Sequence, residues 1–592
     1  MSITQQIKVA AQSAIFSLYQ KTIAVDDILI NETKPEFEGD FTLVTFSFTK
    51  LIGKKPDDIA QELGVELLKN DSLFSSFNVI KGFLNLSIQV SVYHEFLNNT
   101  WQNVQFGNHA HNGKKVMVEY SSPNTNKPLH FGHLRNIFLG YAMCELLKAT
   151  GHEVIKANLI NDRGIHICKS MIAWQLFANG ATPESIGIKG DHLVGDYYVM
   201  FNDVFKSQVE DIINTKGITK EEAEKEASIL LQAQEMLRKW EAGDADTMAL
   251  WKRMNDWVYE GFYKSYARMG VDFDKMYYES STYLLGRDIV LKGLEKGVLF
   301  KKEDGSVWID LTDEGLDQKL LLRGDGTSVY MTQDIGTATL KYADFKMDSS
   351  VYVIGDEQNY HMQVLKLILQ KLGEPCADGI YHLSYGMVEL PTGRMKSREG
   401  TVVDADDMMD EMIAIAQKNT EELGKVDGFN EAELLKLYQT LGLGALKFYL
   451  LRVDPKKKMI FNPQESIDFH GFTAPFVQFT HARITSILSK AGEIGEANTP
   501  NYTLTSVEKN CLKLLEIYPS VLLQAAKEYN PAMVSNYVYQ VAKEYNSFLV
   551  DHSILKADSE AAKHVRLKLS QLTKQVIAHG LKLLGIDSPD RM

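Results

Sequence analysis

The chain has little cysteine. Cys144, Cys168, Cys376 and Cys511 are the only four in 592 residues, and no two are close enough to form a CxxC pair. A zinc knuckle and a disulfide framework are therefore not expected, and a reducing compartment, the cytoplasm, is. Long apolar runs are missing too. Nothing approaches the roughly 18 uninterrupted apolar residues that cross a bilayer, so no membrane span is expected. Residues 1–21 lack the compact apolar stretch and small-residue cleavage site of a secretion signal. Ile3, Ile7, Ala11, Ala14, Ile15 and Leu18 instead recur at the spacing of a half-buried helix. Positive charge is in deficit: 63 Lys and Arg against 77 Asp and Glu give a net −14, which argues against non-specific binding to polyanions. What remains is ordinary globular material, 45 % apolar and 24 % charged. It is enough for about three to five domains.

Three stretches differ in pattern. Residues 1–110 read as a small α/β domain, with strands over 41–48 and 83–86 and a helix over 56–68. The polar segment 108–115 is linker-like. Residues 111–470 open with a strand over 116–120, a loop rich in Pro and Asn, a helix from about Gly132, a strand over 153–160 and another helix. That order is the start of a Rossmann-like, doubly wound parallel sheet. A charge-rich helical insertion packed on the sheet is expected at about 191–262. Strand signals resume at 307–309, 328–331 and 351–354, followed by a helix over 360–372 and a strand near 381–387. Residues 471–592 carry helical periods over 477–491, 506–526, 531–549 and 560–584, an all-α bundle. The bundle holds 13 basic and 11 acidic residues, a net +2, so it is the one large region that is not strongly acidic.

The sharpest local pattern is His130-Phe131-Gly132-His133, between the first strand of the sheet and its helix. The C-terminal end of that strand faces the ligand crevice of such a fold, and a helix N-terminus there favours phosphate. Gly132 lets a nucleotide approach the backbone, and two imidazoles one turn apart can donate hydrogen bonds to a phosphorus centre gaining charge. Two helix-capping histidines are the plainer alternative. A second pattern, 393–401, places Arg394, Lys396 and Arg398 within five positions between glycines. Such a loop can bring Lys396 onto the charge of a leaving pyrophosphate; alone it reads sooner as a solvated turn, and its pairing with the histidine pattern on the same sheet reverses that. Cys144 and Cys168 read as small core residues.

Together the two patterns resemble the HIGH and KMSKS signatures of class I aminoacyl-tRNA synthetases. The segment from Glu119 to Arg135 is similar to the first-motif segment of the arginyl-tRNA synthetases. The resemblance extends over nearly the whole chain. Gly39-Asp40-Phe41 and Gly82-Phe83-Leu84-Asn85 are similar to that family's N-terminal domain, and the segment from Gly190 to Tyr198 to its catalytic core. The segment from Phe476 to Arg483 resembles the start of its anticodon-binding domain, and Pro589-Asp590-Arg591-Met592 its usual ending. There are two departures. Phe131 stands where the motif has Ile, and no lysine follows Ser397. In family members with that loop a lysine just upstream of the first motif is thought to supply the missing cation, which brings in Lys127.

The resemblance implies arginine–tRNA ligation in two steps, with His130, His133, Lys127 and Lys396 as catalytic residues. It implies ATP, accompanied by Mg²⁺ and no zinc, against His130, Gly132, His133, Lys396 and His361. Arginine itself is expected at Glu119, Asn124, Tyr330, Asp334 and Gln358. A planar cation with five N–H donors calls for carboxylate in a fork plus neutral acceptors. Asp334 with Tyr330 is assigned to the guanidinium, Glu119 and Asn124 to the α-amino and carboxylate ends. Asp334 could equally cap a helix over 335–342, and Tyr330 could be core. The acidic run Asp404, Asp406, Asp407 and Asp410 reads as helix N-terminal charge. The partners implied are L-arginine, ATP and tRNA for arginine, the last needed already for the first step, and a monomer is expected. The tRNA would touch the N-terminal domain and a track of Arg483, Lys490, Lys563, Arg566 and Lys568. Its bases would stack on Tyr537, Tyr539 or Tyr545, which read equally as core. Another class I synthetase, a small nucleotidylyltransferase and a non-catalytic tRNA-binding relative are the competing readings.

Overall fold

The computed structural model describes residues 2–34, 36–391, 403–422, 424, 428–495, 499 and 502–592. The chain opens with the helix Ile3–Tyr19, capped by Ser2. It then forms an antiparallel sheet of β1 (Ile30–Glu32), β2 (Phe41–Val44), β3 (Phe74–Ile80) and β4 (Phe83–Ile88), in the order β1-β2-β4-β3. The strand predicted over 41–48 ends at Val44. Thr45 is buried, and its hydroxyl donates to the carbonyls of Gly82 and Pro56, which turns the chain into a 3-10 segment, Thr45–Phe48. The helix Pro56–Asn70 uses its proline at the first turn, where no N–H is needed.

The central sheet begins with β5 (Lys115–Glu119), β6 (Glu153–Ile160) and β7 (Lys275–Tyr278). A separate antiparallel sheet follows, made of β8 (Phe300–Lys301), β9 (Val307–Ile309) and β10 (Lys319–Leu322). The segment predicted as a strand over 328–331 instead starts the helix Tyr330–Phe345, with the Thr332 hydroxyl tied to the Leu321 carbonyl. The chain then returns to the other side of β5 as β11 (Ser349–Gly355) and β12 (Ile380–Tyr385). All five pair in parallel in the order β12-β11-β5-β6-β7. The direction of winding reverses between β5 and β11, which opens a crevice at their C-terminal ends. A short parallel pair, β13 (Val388–Glu389) and β14 (Met459–Ile460), lies at the flank of the cationic segment.

The insertion forms the helices Gly190–Lys216, Lys220–Glu226, Ser228–Glu241 and Ala245–Met269. They pack chiefly on the helix Ile165–Phe177 rather than on the sheet itself, and Tyr266 reaches the crevice edge. The C-terminal bundle comprises Ala474–Ala491, Ser506–Glu516, Tyr518–Lys527, Ala532–Asp551 and Glu560–Leu583. The helix predicted over 506–526 divides at Ile517 because Pro519 cannot continue the hydrogen-bond ladder. All four cysteines are free and buried. Among the described residues no helix is long and apolar enough to cross a membrane.

Candidate active site

His130 is the N-cap of the helix Phe131–Ala149, and the two motif histidines cap each other. His130 Nδ1 accepts from the Gly132 N–H at 3.1 Å, and His133 Nδ1 accepts from the His130 N–H at 3.0 Å. A ring nitrogen that accepts carries no proton, so in both rings the proton sits on Nε2. The rings lie 3.8 Å apart, tilted by 36°, and present two Nε2–H donors at a helix N-terminus. Burial, reinforced by the Lys127 ammonium, pushes His130 down to about 3. Burial together with His130 and Lys127 lowers His133 as well. At neutral pH both are neutral donors, so capping and phosphate donation are compatible: Nδ1 does one, Nε2 is left for the other. Gly132 is required by the same geometry, since a Cβ there would lie 3.0 Å from His130 Cε1.

Lys127 is half-buried, and burial lowers its pKa. It lines a cavity of about 970 Å³ together with Asn124, Asn161, Arg163, Glu279 and Tyr330. Tyr330 is neither core nor strand: it opens its helix and is 77 % exposed. Asp334 lies inside that helix, so it is not the predicted cap, and its Oδ2 is 2.6 Å from His361 Nε2. The hydrogen bond to Asp334 raises the His361 pKa against its burial. His361, expected beside ATP, thus touches the carboxylate expected at the guanidinium. Gln358 ends the exposed 3-10 turn after β11.

Glu119, the last residue of β5, is buried and ion-paired with the equally buried Lys341. Its expected place is at the arginine α-amino group; here its carboxylate pairs with a resident cation, and Glu119 is not among the residues that line this cavity. Sequence reasoning missed Glu279. Its carboxyl lines the cavity, and burial, with Asp162 and Asp334 nearby, raises its pKa to about 7 despite Arg163. The available signal was its position, immediately after β7 at the ligand end of a parallel strand.

Lys396 and the rest of 392–402 lie outside the described residues. The described flank is anchored at the motif: Phe131 N–H donates to the Val403 carbonyl, and His130 bridges Asp404. Asp404 accepts from the Asp406 and Asp407 N–H groups, the predicted helix-start role, for Ala405–Glu422. Asp406 has a further task. Burial alone would raise its pKa, but bonds from His192, Lys189 and Ser265 hold it below the usual carboxylate range. His192, Asp404 and Asp406 are close enough to share a cation, yet Lys189 and Arg268 already neutralise Asp406. The set does not suit Mg²⁺.

In the bundle, Arg566 and Lys568 are buried, one on Glu508 at 2.8 Å and the other on Asn98 at 2.7 Å, so neither is a free track cation. Tyr537 and Tyr545 are core, with their hydroxyls on the Leu514 carbonyl and Ser570. Tyr539 lines an open depression with Phe472, Asn536 and Gln540. Arg483, Lys490 and the run Lys456 to Lys458 are exposed.

Comparison with known proteins follows the same division. Residues 96–462 match the family described as tRNA synthetases class I (R), catalytic domain. Residues 477–592 match the DALR anticodon binding domain, and residues 1–88 the arginyl tRNA synthetase N terminal domain. Curated relatives named "Arginine--tRNA ligase" from Parabacteroides distasonis and Bacteroides fragilis are 51 % and 52 % identical, each covering 100 % of both chains. Among solved structures, Thermus thermophilus arginyl-tRNA synthetase superimposes with a TM-score of 0.81 at 24 % identity. It covers 99 % of this chain and 100 % of its own.

Proposed function

The chain belongs to the arginyl-tRNA synthetase family, and from that premise we propose how its own residues carry out the reaction. It is a class I enzyme that joins L-arginine to its tRNA through arginyl-adenylate, with release of diphosphate and AMP. The full-length identity of about half to the named relatives carries that statement. The test is to charge tRNA with each of twenty labelled amino acids, and arginine alone is expected to be transferred.

In the proposed first step an oxygen of the arginine carboxylate attacks the α-phosphorus of ATP, and the bond to the β-phosphate oxygen breaks. His130 and His133 donate from Nε2 to the α-phosphate oxygens as they gain charge, a preorganised electrostatic contribution with no covalent enzyme intermediate. Lys127 and Lys396 hold the departing diphosphate. Mg²⁺ is proposed to arrive on the ATP phosphates, since the His192–Asp404–Asp406 set is already neutralised. The guanidinium is assigned to Asp334 and Tyr330 with Glu279 as a second carboxylate. Asn124 faces the α-amino end, and Gln358 supports the same site. In the second step the 2′-hydroxyl of the terminal ribose attacks the acyl carbon.

The first step is proposed to require tRNA. Pyrophosphate exchange into ATP at full speed with arginine alone would refute that. For tRNA we assign Arg483, Lys490 and Lys456 to Lys458 to the phosphate track and Tyr539 to base stacking. The 1–110, 111–470 and 471–592 divisions serve as tRNA-contacting, catalytic and anticodon-binding domains. A cytoplasmic monomer without zinc completes the reading. Four buried, scattered cysteines favour the last point, and sedimentation with metal analysis tests both.

A further inference from the structure

The loop that carries Asn124, Lys127 and His130 starts with two consecutive non-glycine residues in the left-handed region, Ser121 at φ 74° and Ser122 at φ 46°. Such backbone persists only where its surroundings over-determine it. Three side chains do so here. Asn136 Oδ1 accepts from Ser121 N–H at 2.6 Å, and Asn158 Oδ1 accepts from Ser122 N–H at 3.0 Å. The Tyr266 hydroxyl lies 2.7 Å from Ser121 Oγ and accepts from Asn158 Nδ2 at 3.2 Å.

Tyr266 sits in the last turn of the helix Ala245–Met269, and its neighbours in that turn hold the flank of the other signature. Ser265 Oγ donates to Asp406 Oδ2 at 3.0 Å. Arg268 pairs with Asp406 Oδ1 at 3.1 Å and also with Asp410. Two residues before Asp406, Asp404 is bridged to His130. One helical turn therefore touches both the start of the histidine loop and the segment that follows the cationic loop.

We propose that Ser265, Tyr266 and Arg268 are positioning residues, a strut that fixes the histidine loop and residues 403–410 in one register. The imidazole donors and residues 403–410 are then held in one arrangement around the nucleotide. The inference rests on the reading of His130 and His133 as α-phosphate donors. It explains why a helical insertion with none of its own residues assigned to the chemistry should end in polar groups aimed at both signatures.

The test uses Tyr266→Phe and Arg268→Gln, singly and together, in full-length protein with arginine, ATP and tRNA. Each single variant is expected to lower kcat on the order of tenfold, with the KM for tRNA unchanged. The double variant should be little worse than the worse single, because both release the same strut. Ser121→Gly, which deletes the partner hydroxyl and relaxes the strained φ, should reproduce the loss if Tyr266→Phe does not fold. Wild-type kcat in the single variants, with only the melting temperature lowered, overturns the proposal. So does a double loss equal to the product of the singles, which would mean two independent local contacts. His133→Ala is the control. If it keeps wild-type kcat, the histidine reading fails and the strut with it; if it loses kcat while the strut variants do not, the strut alone is refuted.

Discussion

At the arginine end of the cleft, two titrating groups act in the same direction. Glu279, raised to about 7, is increasingly protonated as pH falls below neutrality and then cannot accept a guanidinium. His361, raised by its bond to Asp334, is increasingly protonated over the same descent and competes with substrate for that carboxylate. The KM for arginine is expected to rise as pH drops from 8 to 6. Glu279→Gln should raise it at pH 8 and flatten the profile, measured by steady-state arginylation at saturating ATP and tRNA. A profile that keeps its slope in both Glu279→Gln and His361→Asn places the titration elsewhere. Gly132 permits a sharper separation of stability from activity. Gly132→Ala, at the second residue of its helix, should change stability by less than about 1 kcal/mol, because the gain in helix propensity is set against the contact with the His130 ring. Its Cβ would also push on the His130 ring, and kcat should fall on the order of a hundredfold. The histidines were legible because four adjacent residues define their geometry. Glu279 was not, because its role depends on which loop lies across from it in space.

Elements depart from their local signals where a distant polar group overrides periodicity. Phe41 to Phe48 alternates like a strand throughout, yet Thr45 finds carbonyl acceptors in two other segments and the strand stops. Arg566 and Lys568 read as surface cations because sequence spacing cannot reveal partners 58 and 470 positions away. The same blindness hid the pair Lys341–Glu119, which fastens the helix Tyr330–Phe345 to β5. Burial would lower the Lys341 pKa, but the Glu119 charge outweighs it and keeps the ammonium. Removing one member of such a buried pair leaves an uncompensated charge, at a cost of about 3–5 kcal/mol. Lys341→Met is therefore expected to lower the denaturation midpoint strongly. Lys341→Met with Glu119→Leu should recover most of the loss. If the double variant is no better than the single, the pair is not what joins the two elements.

At the scale of the whole molecule, the N-terminal domain is docked on the C-terminal bundle through charge as well as apolar contact. Asp40 is buried, accepts from the Ile88 N–H and reaches Lys509 at 2.6 Å and Lys513 at 3.6 Å. If tRNA spans both domains, Asp40→Asn should raise the KM for tRNA and leave the KM for ATP unchanged. Glu516, on the same bundle helix as both lysines, receives the Ile3 N–H and has its second oxygen buried without a partner among the described residues. Burial raises its pKa from 4.5 to about 7, against the pull of the Ile3 hydrogen bond. A carboxyl whose folded pKa lies above its unfolded value contributes stability below pH 4.5 that is lost as pH rises through 7. Docking should thus loosen between pH 5 and pH 8, opposite to the behaviour of an acid held by a cation. Glu516→Gln copies the neutral acid and removes the titration. Amide exchange in the helix Ile3–Tyr19 should then match wild type at pH 5 after correction for intrinsic rates, and be slower than wild type at pH 8. Faster exchange in the variant at pH 8 would mean that the folded protein uses a charged Glu516, and that the neighbouring lysines, rather than burial, decide how the two ends of the chain are held together.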